Sequence, residues 1–293
     1  MSFESWILLS AFFLAIYDLC KKAAVRDNAV LPVLTITTFA GAVAYIATLS
    51  ACGALASSLR FTPKILWFCT AKTVIVGSSW IFTYCALRTL PVTIATPIRA
   101  SAPALVILVA FFLYGERPSW LQWSGMALTF AGFYAFSWAG RHEGIDFRHS
   151  KAVWFAVAGL VLSAVSSLWD KYIFQVAAAP VEPVQFGFQV GLFVFYSLMM
   201  IGQRVFLGPS RHHFEWRPTI PFVGVILALA DWLYFHGLAV PGAPISVGSL
   251  LRRFSVAITF VFGAFLFRET NLRRKTVALI LLLAGTALIC IGH

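Results

Sequence analysis

Ten apolar runs of about 20 residues, each long enough to cross ~30 Å of hydrocarbon as a helix, follow one another through this 293-residue chain. They cover residues 5–26, 30–50, 65–88, 92–115, 119–139, 152–178, 183–203, 219–240, 244–267 and 274–292. The connections between them are short and carry turn signals, as in Pro180-Val181-Glu182-Pro183 and Pro241-Gly242-Ala243-Pro244. The connections at 140–151, which joins the two halves of the chain, and at 203–218 are among the longer ones, and neither is long or polar enough to form a soluble domain. With 60% hydrophobic and 11% charged residues, the chain lacks the polar surface to cover a soluble globule of its length. The fold class is therefore an all-α integral membrane protein with ten transmembrane helices.

The chain also repeats itself. Arg99 falls on Arg252, Glu116 on Glu269 and Ala131-Gly132 on Ala284-Gly285, each pair 153 residues apart. At a separation of 152, Tyr17-Asp18 falls on Trp169-Asp170 and Trp80 on Trp232. Matches at a fixed offset signal an internal duplication, which places a first repeat at 1–139, a linker at 140–151 and a second repeat at 152–293. Five helices per repeat is an odd number, so the two repeats cross the membrane in opposite senses. Inverted repeats of this kind are a transporter architecture, with the substrate site between the halves.

The net charge of +11 would point to nucleic acid in a soluble domain, but here most Lys and Arg flank short connections. They are read as topology determinants and contacts to anionic membrane lipid, with no nucleic-acid partner. Fourteen of them follow helices 1, 3, 5, 7 and 9, which by the positive-inside rule puts both termini outside. Cys20, Cys52, Cys69, Cys85 and Cys290 show no metal-ligand spacing, so neither a metal nor a cofactor is expected. The first run has no basic stretch before it and no small-residue cleavage site, and is expected to stay as a helix.

Ionisable residues inside the spans mark where the chemistry belongs. A charge in lipid costs roughly 2.5–3.5 kcal/mol even on lenient insertion scales, so such residues face a cavity or one another. They are Asp18, Lys72, Arg99, Asp170, Lys171, Asp231, Arg252 and Arg253. Arg99 and Arg252 are superposed by the duplication, and arginine's permanently charged planar fork suits a carboxylate or phosphate. Pro97, Pro103 and Gly248 are expected to loosen their helices toward a cavity. The alternative for both arginines is an internal salt bridge to Asp231, Asp18 or Asp170.

Asp231 stands near the middle of the eighth run. It is a site for a substrate amine or a coupling proton, or else a carboxylate neutralised by Arg252 or Arg253. Together with His236, Arg253 and Lys72 it forms the coupling and gating set. Asp18 precedes Lys22 by four residues, the favourable order for an ion pair on one helix face. Asp170 completes a polar stripe with Ser163, Ser166 and Ser167, while Lys171 and Lys72 are expected to snorkel toward an interface. Tyr17, Trp80, Tyr84, Trp169, Tyr172, Trp232 and Tyr234 could pack a substrate. An aromatic box beside Asp231 would favour a cation and exposed arginines an anion; both together fit a zwitterion.

Leu87-Arg88-Thr89-Leu90-Pro91-Val92-Thr93-Ile94-Ala95, followed by Leu113-Tyr114-Gly115-Glu116-Arg117, Trp123-Ser124-Gly125 and Ala131-Gly132, resembles the EamA domain of the drug/metabolite transporter superfamily. The segment from Gly237-Leu238-Ala239 through Arg268-Glu269 to Ala284-Gly285 resembles it a second time, with Arg268 in place of Gly115 and Ala278 in place of Gly125. The tryptophan-glycine of that family's first helix is replaced by Tyr17-Asp18 and Trp169-Asp170. The resemblance implies inverted five-helix repeats, a central cavity, alternating access driven by an ion gradient or by exchange, cytoplasmic termini and a multi-pass location in the inner membrane. It does not imply a substrate.

The expected function is a secondary transporter, exporting or exchanging a small polar, zwitterionic or anionic metabolite such as an amino acid. Its partners would be that small molecule and protons or a counter-substrate. Arg99 and Arg252 would hold an acidic group, Trp80 and Trp232 the body of the substrate. The alternatives are a flippase for a lipid-linked substrate and a carrier of quaternary amines. An enzyme would need a convergent nucleophile, base or metal set, which no span carries.

Overall fold

The computed structural model describes residues 3–114, 117–141, 148–208, 213–238, 251–269 and 272–292, and within these every regular element is a helix. They run in order as α1 (Phe3–Val25), α2 (Val30–Ala51), a single turn α3 (Leu55–Ser58), α4 (Pro63–Thr89), α5 (Val92–Ala100), α6 (Ala102–Tyr114), α7 (Trp120–Arg141), α8 (Lys151–Lys171), α9 (Val181–Gly202), α10 (Thr219–Leu238), α11 (Phe254–Leu266) and α12 (Leu272–Ile291). Five are long and apolar enough to cross a membrane by length and composition: Val30–Ala51, Pro63–Thr89, Lys151–Asp170, Glu182–Phe206 and Leu272–Ile291. Part of the shortfall against ten runs among the described residues can be traced. α1 carries Asp18, Lys21 and Lys22, the fourth run is broken into α5 and α6, and the first part of the ninth, with Gly248, lies outside the described residues.

The break at Ser101 follows from Pro103. Lacking an N–H, Pro103 cannot donate to the carbonyl of Arg99, and it is tolerated instead in the first turn of the new helix that starts at Ala102. The chain instead closes a tight turn, with the Ser101 amide on the Ile98 carbonyl at 3.2 Å and the Ala104 amide on the Ser101 carbonyl at 3.1 Å. Pro97 stays inside α5. The N-terminus of α4 follows ordinary rules, with Pro63 in the first turn and the Thr62 hydroxyl accepting from the Ile65 amide at 3.3 Å. α8 ends differently, passing just after Asp170 into a π-helical turn, Tyr172–Val176.

α1 packs along α10 and α4 along α8, while α2 meets α9, with α2 also flanking α10 and α9 also flanking α4. The main core fills the space among these helices with Tyr17, Val33, Tyr84, Ile94, Leu160, Tyr196 and Val223. A second cluster, Phe136, Val256, Phe260, Ala278 and Leu282, joins α7 and α12 to α11. Leu66, Trp67, Phe112, Leu198, Phe206 and Phe265 point outward, an apolar exterior that suits acyl chains.

α7 and α12 approach backbone to backbone through glycines. A Cβ at Gly285 would lie 2.6 Å from the Thr129 nitrogen and 2.7 Å from the Gly125 carbonyl oxygen, closer than real Cβ contacts allow. Small residues at helix crossings let dispersion and Cα–H contacts hold helices that lipid cannot drive together. Gly285→Val should therefore lower stability by about 1–3 kcal/mol, the usual effect of overpacking. Gly202→Ala, with nothing within 4 Å, should change it little. Thermal unfolding in detergent checks both.

Candidate functional site

The charged residues of the spans converge on one cavity of about 450 Å³. α1 contributes Leu14 and Tyr17, α4 Trp80, and α5 Thr96 and Arg99, while Ser163, Ser167 and Asp170 come from α8. Leu227 and Tyr234 of α10, with Arg252, Arg253 and Ser255 at the start of α11, close the ring. On α8 the three polar residues are one helical turn apart, so they form a continuous stripe.

Arg99 and Arg252 of this ring, and Lys72 beside it, are held by carboxylates. One Arg99 Nη2 reaches both oxygens of Asp18, at 2.7 and 2.6 Å, and Lys21 Nζ reaches Oδ1 at 2.7 Å. Asp18 is only 1% exposed, and Lys21 also lies 4.4 Å over the Tyr17 ring. Two cations on one buried carboxylate offset the loss of its hydration. On the far side, Arg252 Nη2 bonds Asp231 Oδ1 at 2.6 Å and its guanidinium stacks 4.1 Å from the Tyr234 ring. Lys72 Nζ bonds Asp170 Oδ1 at 2.6 Å and lies 4.8 Å over the Phe188 ring.

Beyond Asp18, toward the C-terminal end of α1, the helix ends are tied together. Lys22 Nζ donates to the Leu87 and Leu90 carbonyls at 2.6 and 2.7 Å, satisfying acceptors that the end of α4 leaves open. Glu269 accepts from the Val92 and Thr93 amides at 2.7 and 3.2 Å, capping the N-terminus of α5 where negative charge is favoured. The Thr93 hydroxyl also bonds Glu269, and fully buried Lys275 donates to that hydroxyl at 2.9 Å and lies 3.6 Å from the carboxylate. Three segments distant in sequence, at residues 22, 87–93 and 269–275, meet here.

The structure thus puts Tyr17, Trp80, Arg99, Asp170, Arg252 and Arg253 on the cavity wall, with Asp18, Asp231 and Lys72 pairing to wall residues. Other candidates fall elsewhere. Tyr84 is fully buried near Lys21, Trp169 stacks on Tyr172 at 5.4 Å against Phe68, and Trp232 meets Trp6 edge-on at 6.0 Å. The side chains of His236 and Lys171 lie outside the described residues. The expected pair of Asp18 with Lys22 does not form: Lys21, three residues on, takes Asp18, because Lys22 is drawn to the open carbonyls of α4. Lys72 does not snorkel either, since Asp170 on the adjoining helix offers it a carboxylate.

Sequence reasoning gave no role to Glu269 and Lys275. The one available signal was that Glu269 repeats Glu116, a carboxylate kept at a helix connection in both halves. Asp18→Asn should weaken the fold by about 3–5 kcal/mol, because it leaves Arg99 and Lys21 short of their shared counter-charge. Asp170→Asn, at a carboxylate 36% exposed, should cost roughly 1 kcal/mol or less. Unfolding midpoints of the two variants in detergent give the comparison.

Residues 1–138 match the sequence model of the EamA-like transporter family, consistent with an EamA-domain protein of the drug/metabolite transporter superfamily. Together with the apolar helices, this match indicates a multi-pass membrane protein. No curated protein matches the chain. A solved structure, titled only as a crystal structure of a protein, is similar over 98% of this chain and 97% of its own, with a TM-score of 0.65 and 17% identity. At that identity the likeness is one of fold.

Proposed function

We propose that the protein is a secondary transporter of a small polar, zwitterionic or anionic metabolite, built from two inverted five-helix repeats at 1–139 and 152–293 and working by alternating access. The helix packing supports the repeats. Under the duplication α1 corresponds to α8, α2 to α9 and α4 to α10, so the pairing of α1 with α10 mirrors that of α4 with α8. The contact of α2 with α10 likewise mirrors that of α9 with α4.

The observation that carries the mechanism is an inequality between equivalent residues. Asp18 and Asp170 are counterparts, as are Arg99 and Arg252. Arg99 holds Asp18, yet Arg252 holds Asp231 and Asp170 holds Lys72, although Arg252 and Asp170 line the same cavity. Two nearly symmetric halves in unequal states are what one end of an alternating-access cycle requires. In the opposite state Arg252 would move to Asp170 while Arg99 released Asp18. Asp231, stripped of its cation in a half-buried position, would then take up the coupling proton.

Counterflow in proteoliposomes tests the exchange of partners. Asp170→Asn and Arg252→Gln should each slow counterflow by more than about tenfold, and the double variant should be no slower than the worse single one, because both remove the same closed state. Losses that multiply would show the two residues acting separately and defeat the partner exchange. Normal counterflow in Arg99→Ala and Arg252→Ala would defeat the role of the central arginines altogether. Asp231→Asn should abolish the pH dependence of counterflow; an unchanged pH profile would leave Asp231 a structural partner of Arg252.

A further inference from the structure

Arg253 differs from the other cations of the cavity. Arg99 and Arg252 are each held by an aspartate and Lys72 by Asp170, whereas Arg253, on the same wall, has no carboxylate partner among the described residues. Its Nε is buried and makes no hydrogen bond, and neither does the Nε of Arg252 beside it. Residues 239–250, which precede these two arginines in the sequence, contain no Asp or Glu. Guanidinium N–H groups withdrawn from water and left unmet are costly, and a cavity gives them access to a partner from outside the protein.

The local backbone adds to the charge. Arg253 is the N-cap of α11, a helix of 13 residues, and Ser255 and Val256 of the first turn line the cavity with it, so the positive end of the helix lies beside this part of the wall. Counted around the cavity among the described residues, Lys21, Lys72, Arg99, Arg252 and Arg253 stand against Asp18, Asp170 and Asp231, an excess of positive charge. Resting on the transporter reading, we infer that Arg253 holds the oxyanion group, carboxylate or phosphate, of the transported molecule. Arg99 and Arg252, already engaged, serve the gates instead. A planar fork suits two oxygens of such a group, and about 450 Å³ admits only a small solute. Cations lacking an acidic group are excluded by the charge excess.

The test uses the full-length protein in detergent as wild type, Arg253→Gln and Arg253→Lys, with succinate, inorganic phosphate, glycine and choline as probes of thermal unfolding. At least one of the first three should stabilise the wild type, and the choice between succinate and phosphate tells which oxyanion the site prefers. Its apparent Kd should weaken by about tenfold or more in Arg253→Gln, as expected for a lost charged hydrogen bond. Arg253→Lys keeps the charge but not the fork, so it should bind at an intermediate level, and it serves alone if the Gln variant does not fold. Equal stabilisation of wild type and Arg253→Gln, stabilisation by choline alone, or no response to any probe would overturn the assignment. The same probes in counterflow separate the two readings. Binding lost in Arg253→Gln without counterflow in the wild type would keep the oxyanion site and remove transport. Choline counterflow unchanged in Arg253→Gln would keep transport and remove the site.

Discussion

Everything in this bundle depends on the cost of leaving a charge alone away from water. Asp18 can be 1% exposed only because Arg99 and Lys21 both reach it, and that requirement draws α5 against α1. The same rule places Lys72 on Asp170, joining α4 to α8, and Arg252 on Asp231, joining the start of α11 to α10. Apolar packing in a membrane does not specify which helices meet, since lipid tails satisfy Leu and Phe equally well. The ion pairs supply that selectivity.

The cluster around Glu269 obeys the rule in another form. Its carboxylate meets backbone amides at the start of α5 as well as Lys275, and Lys22 meets backbone carbonyls at the end of α4. Helix ends carry unmet groups by construction, and in this setting side chains supply the partners that water would provide elsewhere. Since Leu90 and Val92 flank the Pro91 turn between α4 and α5, the two caps fasten both sides of one connection.

Much of the architecture was legible in the sequence because its signals are long. Runs of 20 apolar residues and a recurrence at offsets of 152 and 153 survive any local irregularity, and the pairs Arg99/Arg252 and Asp18/Asp170 could be named from them. Pro103 likewise announced the interruption beside Arg99. What stayed hidden was rotational. Which of Lys21 and Lys22 faces Asp18 depends on where the carbonyls of Leu87 and Leu90 come to rest, a fact of packing 65 to 68 residues away. Trp232 and Trp169 repeat at the same offset as residues that do reach the cavity, yet they turn to Trp6 and Tyr172, because an aromatic ring finds neighbours in any direction. A match at a fixed offset in the chain does not carry over to what a side chain touches.

The interruption at Ser101 makes α5 a short rod with an anchor at each end. Its first turn is gripped by Glu269 and its last turn carries Arg99 into Asp18, and from Thr93 to Arg99 the axis runs about 10 Å. A helix transmits displacement along its axis with little give. Any shift of Arg99 at the cavity is therefore passed along the same backbone to the clasp at Glu269, so that the centre of the molecule and this cluster of helix ends are geared together by one lever.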